Sequence, residues 1–126
     1  MPILAQVTAF VAALIHVGFF YLESVAFTRP NVWPRFGLRT QDQADTVRPM
    51  AFNQGFYNLF LAAGILGGLV LIATGHVPAG RAIILFACGC MVGAGVVLVA
   101  TDRAFVRAAL LQLVPPALAI ALAYLV

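Results

Sequence analysis

Four runs of apolar residues divide the chain, at roughly 3–27, 51–74, 82–101 and 108–126. Each is close to the ~20 residues a helix needs to cross a hydrocarbon core. The links after the second and third runs are only a few residues long, which makes those helices neighbours in space. The pattern predicts an all-α fold, an integral membrane antiparallel four-helix bundle built as a single transmembrane domain over residues 1–126.

The first connection, residues 28–50, is different. It is polar, is broken by Pro30 and Pro34, and mixes Trp33, Phe36 and Leu38 with Arg29, Arg35, Arg39 and Arg48. Aromatic and arginine side chains together suit the headgroup layer, so this segment is expected to lie along the membrane surface. Thr40 and Gln43 have the spacing of a capping box, and Pro49 is tolerated in a first turn. A short surface helix leading into the second span is therefore expected.

Composition agrees with the pattern. At 63% hydrophobic and 9% charged, the chain is too apolar for a soluble domain of its size. All seven basic residues are arginines, with no basic stripe interleaved with aromatics, so nucleic acid is excluded as a partner. Arg29, Arg35, Arg39, Arg48, Arg103 and Arg107 fall on one side of the predicted membrane, and Arg81 alone on the other. The positive-inside rule then predicts an inner (plasma) membrane protein with both termini on the non-cytoplasmic side. The first run has no Lys or Arg before it and is long enough to span, so it is expected to be a retained helix and not a cleaved signal.

Small residues predict how the helices meet. Gly64 and Gly68 on the second span, and Gly89 and Gly93 on the third, have the Gly-x-x-x-Gly spacing of close helix approach. Pro115-Pro116 should kink the fourth span. Cys88 and Cys90 would point to nearly opposite sides of a helix and cannot pair with each other.

The run Asn53-Gln54-Gly55-Phe56-Tyr57-Asn58 opens the second span with amides that hydrocarbon cannot satisfy. On the first span His16 and Glu23 are seven residues apart, on one helical face and about 10 Å apart along the axis. In an antiparallel pair Glu23 should match Asn53 and Gln54 in depth, with His16 nearer Tyr57 and Asn58. Gln112 reaches the same half from the fourth span. A carboxylate facing amides, a phenol and an imidazole suits general acid or base chemistry, with Glu23, His16 and Tyr57 catalytic. Asn53, Gln54, Asn58 and Gln112 would hold a lipophilic substrate.

Structural roles compete for each of these residues. Glu23 could be tied to Arg29 or Arg48, His16 could be a core histidine, and the amides could be interhelical glue. Asp102 suits the N-cap of the fourth helix or a partner for Arg103. No metal or cofactor is expected, because no second membrane histidine joins His16, and His76 belongs to the loop on the far side.

The string Asn53-Gln54-Gly55-Phe56-Tyr57-Asn58, continued by Phe60-Leu61-Ala62-Ala63-Gly64 and joined to His16 and Glu23, resembles the small membrane family catalogued as domain of unknown function 1304. The resemblance covers nearly the whole chain and implies a four-helix membrane protein of about this length. It implies no established activity. The chain departs from the family's small-residue pattern at Val99-Ala100-Thr101-Asp102-Arg103, so Asp102 is not carried over as a site residue.

Three functions are compatible with the sequence. The first is an intramembrane protein that binds a lipophilic small molecule, with acid/base isomerisation, epimerisation or epoxide opening and cyclisation as its chemistry. The second is a proton-coupled exporter of the small multidrug type, against which the strong arginine bias and the shallow Glu23 both count. The third is a non-catalytic membrane assembly subunit. The bilayer and a lipophilic small molecule are the expected partners, and a homodimer is compatible with each.

Overall fold

The computed structural model describes residues 1–125. Four helices carry the fold: α1 (Ile3–Phe20), α2 (Gln41–Ala73), α3 (Val77–Thr101) and α4 (Val106–Leu125). A π-helical turn, Tyr21–Val25, extends α1, and 3₁₀ turns at Trp33–Phe36 and Arg103–Phe105 precede α2 and α4. All four helices are long and apolar enough to cross a membrane, and no strand occurs among the described residues. The fold is all-α, a membrane helical bundle. Val126, the expected end of the fourth span, lies outside the described residues.

Contacts group the chain into two compact units, Met1–Ile15 with the chain from Leu61 onward, and His16–Phe60. The core of the first unit is made of small side chains. Ala9, Ala12 and Ala13 on α1, Ala62 on α2, Ala87 on α3 and Ala119 on α4 are all buried, with Ile65, Ile84 and Met91 filling the space between them. Small residues suit a membrane bundle, in which van der Waals contact at short range replaces the hydrophobic drive.

Only part of the expected glycine packing is present. A Cβ on Gly68 would lie 2.9 Å from the Gly80 carbonyl oxygen and 2.6 Å from Ile84 Cγ1, and a Cβ on Gly80 would meet the Gly68 carbonyl in turn. These two residues let the backbones of α2 and α3 touch. A Cβ on Gly64 would make only an ordinary contact with Ala87, and one on Gly89 or Gly93 would meet nothing within 4 Å. On α3, besides Gly80, close approach belongs to Gly95, where a Cβ would lie 2.7 Å from Leu113 Cβ. Spacing identifies glycines that share a face, but the partner helix decides which face is used.

The turn from α2 into α3 is a Schellman motif. His76 N–H donates to the Leu71 carbonyl at 2.8 Å and Gly75 N–H to the Ile72 carbonyl at 3.1 Å. Gly75 has φ 91°, the left-handed conformation this motif requires. At the other end of α3, Asp102 accepts from Ala104 N–H at 2.9 Å and caps the turn that leads into α4, the capping role expected of it. α4 runs through Pro115 and Pro116 without a break in its helical course.

In the second unit the predicted cap forms. Thr40 Oγ1 accepts from Gln43 N–H at 3.2 Å, and Gln43 Oε1 reaches past the cap to the Arg39 N–H at 2.9 Å. The expected surface helix and second span are one helix of 33 residues. Pro49 therefore lies inside α2 and not in its first turn, and it removes one backbone donor there.

Candidate functional site

Glu23 sits in the π turn. The turn closes with an Ala26 N–H to Tyr21 carbonyl bond at 2.9 Å, five residues apart instead of the usual four. Such turns widen a helix and are frequent at functional positions.

Three contacts hold this turn to α2. Ser24 Oγ donates to the Phe52 carbonyl at 2.7 Å. Beside it, the missing side chain of Gly55 lets Ser24 press against the helix backbone, where any Cβ would collide with the serine hydroxyl. One turn back along α1, the Phe20 and Phe56 rings meet edge to face with centroids 5.1 Å apart.

The third contact belongs to Glu23 itself. Asn58 Nδ2 donates to Glu23 Oε2 at 2.8 Å, and Asn58 is buried. This corrects the depth match expected from sequence, which set Glu23 against Asn53 and Gln54. Helical side chains lean toward the N-terminus of their helix, so a long glutamate on α1 reaches about one turn further back than its Cα. The Cα depths matched serine with glycine, and the carboxylate passed on to Asn58.

Below the carboxylate is a cavity of about 310 Å³. Glu23 and Gln54 are its polar lining, and Phe27, Phe36, Leu38, Val47, Met50 and Ala51 form the apolar wall. The loop that supplies half of this wall is well anchored. Trp33 Nε1 donates to Gln41 Oε1 at 3.1 Å, Gln41 Nε2 donates to the Thr28 carbonyl at 2.9 Å, and the Phe27 and Phe36 rings pack 5.1 Å apart. Gly37 ends the 3₁₀ turn with φ 78° and turns the chain back toward α2. Arg29, one of the residues offered as an ionic tie for Glu23, instead donates from Nη1 to Tyr21 Oη at 3.0 Å.

The structure brings together Glu23, Asn58 and Gln54, and it places the other expected residues elsewhere. Tyr57 is 60% exposed and Asn53 is exposed, so neither side chain belongs to the cavity wall. On a helix, Tyr57 and Asn58 are adjacent in sequence and about 100° apart in direction, and burying the amide turned the phenol outward. His16 is fully buried and meets Phe19 edge-on at 5.4 Å, and it does not line the cavity. Gln112 is half-buried on α4, in the other compact unit. Among the described residues no three His, Cys, Asp or Glu side chains converge as a metal site would require.

Sequence reasoning missed Phe27, Phe36, Leu38, Val47, Met50 and Ala51 as cavity residues. Phe36 and Leu38 are visible as apolar residues in a polar loop, a signal that the headgroup layer explains equally well.

A family model described as Protein of unknown function (DUF1304) matches residues 10–124. No curated protein and no solved structure matches the chain.

Proposed function

We propose that this chain, which belongs to the DUF1304 family of proteins of unknown function, binds a lipophilic small molecule in the Glu23–Gln54 cavity and exchanges a proton with it through Glu23. The observation that carries this reading is a carboxylate held at 2.8 Å by a buried amide while it also lines an otherwise apolar cavity of about 310 Å³. Ligand sites are built this way, with mostly apolar walls and a few fixed polar groups that orient the ligand. Tyr57 and His16 do not line the cavity, so the acid/base work falls to Glu23, with Asn58 fixing its orientation. A single positioned carboxylate can take a proton from one carbon of a ligand and return it at another, which balances as an isomerisation.

The depth of the site supports an amphiphilic ligand. At 1.5 Å per residue, the 33 residues of α2 extend about 50 Å, well beyond a hydrocarbon core of ~30 Å. With Ala73 at one boundary, the other falls near Asn53 and Gln54, which puts the cavity at the headgroup layer. The arginine distribution supports a reading in which that layer is the cytoplasmic face and both termini lie on the opposite side of the plasma membrane.

Native mass spectrometry of the full chain, released gently from membranes, tests the reading. A co-purifying lipophile should be present in the wild type and lost in both Glu23→Gln and the cavity-filling Ala51→Phe. An empty wild-type protein, or a ligand retained by both variants, would overturn it.

A further inference from the structure

We infer that the molecule taken by this cavity is a lipophilic amine, bound as its ammonium form with the charge on Glu23; the inference rests on the cavity being the ligand site proposed above. A carboxylate at an apolar wall is stabilised either by taking up a proton or by a countercharge, because desolvating it is costly and a neutral hydrogen bond repays only part of that cost. The protein supplies Glu23 with a neutral donor, Asn58, at 2.8 Å. No arginine lines the cavity, and the guanidinium of Arg29 is taken up by the hydroxyl and ring of Tyr21, 5.9 Å from the ring centroid. An ammonium ligand would bring the positive charge that this wall does not hold and would keep Glu23 ionised.

The rest of the wall suits the same guest. Phe27 and Phe36 line the cavity with rings 5.1 Å apart, and aromatic faces attract an alkylammonium group that is partly desolvated. Gln54 adds a carbonyl that can accept an ammonium N–H. An acid or a phosphate-bearing lipid would meet a carboxylate on a wall that holds no arginine, and an alcohol would bring it no countercharge.

Dodecylamine, dodecanol and dodecanoate form a matched set of probes that differ in head-group charge. Trp33 is the chain's one tryptophan and sits in the same 3₁₀ turn as the cavity residue Phe36, so its fluorescence reports occupancy in the full-length protein in detergent. Dodecylamine should bind roughly tenfold more tightly than dodecanol, with dodecanoate weaker than both. That preference should collapse to about twofold or less in Glu23→Gln and persist in Glu23→Asp. If Glu23→Gln does not fold, the wild-type order of the three probes decides alone. Equal binding of amine and alcohol, tighter binding of the acid, or an amine preference that survives Glu23→Gln would overturn the amine while leaving a ligand site. Binding of none of the three would remove the site, and the amine with it.

Discussion

Ser24 and Gly55 meet with no room for a methyl group between them: the serine donates to the Phe52 carbonyl at 2.7 Å from the space a Cβ on Gly55 would fill. This contact sets how closely the π turn approaches α2, and so where Glu23 meets Asn58.

Gly55→Ala should therefore cost about 1–3 kcal/mol, the range for overpacking a tight contact. Ser24→Ala should cost about 1 kcal/mol for the lost hydrogen bond. Adding Ser24→Gly to Gly55→Ala should recover part of the loss by removing the group that clashes. Thermal unfolding in a single detergent, compared across the set, checks the order.

The Glu23–Asn58 bond should show strong coupling. Asn58→Leu leaves a carboxylate without its donor and should destabilise by about 1–3 kcal/mol. In Glu23→Leu/Asn58→Leu both polar groups are gone, and the loss should be smaller than the sum of the single changes. A double-mutant cycle reads this directly, and additive losses would show that the bond contributes little.

Glycines with the same spacing should respond differently. Gly68→Ala drives a methyl into Ile84 and the Gly80 carbonyl and should cost about 1–3 kcal/mol. Gly89→Ala meets nothing within 4 Å and should be neutral or slightly stabilising, by about 0.5–1 kcal/mol, because alanine is the better helix former. Melting temperatures of the two variants separate a packing glycine from one that merely fits the motif.

Thr40→Ala removes the hydroxyl that caps α2 and should cost about 1 kcal/mol. The effect should be local, seen as faster amide hydrogen exchange in the first turn of α2, with Gly68 and its neighbours unchanged.

The number and approximate extent of the spans are legible in the sequence because hydropathy over some twenty residues is a strong signal. So is the Thr40 cap. The cavity wall is not, because Phe27, Val47 and Met50 look like any apolar residue near a membrane and form a wall only when the loop folds back on α2. Tyr57 and His16 escape a sequence-based placement for a related reason. Polar residues in hydrocarbon invite grouping, but a one-residue step along α2 separates a buried Asn58 from an outward Tyr57. Membership of DUF1304 carries no activity with it.

The π turn gives the first span an odd relation between length and direction. A helix with one extra residue in a turn has absorbed that residue without growing by a full α-helical step, so the backbone after it is rotated relative to an uninterrupted helix. Deleting one residue between Tyr21 and Val25 would restore an ordinary turn and move the sequence by one place along the backbone, enough to put a neighbour in the position Glu23 now holds. Within this span, the position of the acid is thus a matter of counting as much as of chemistry. A variant one residue shorter could keep every side chain of the site and still aim none of them at Asn58.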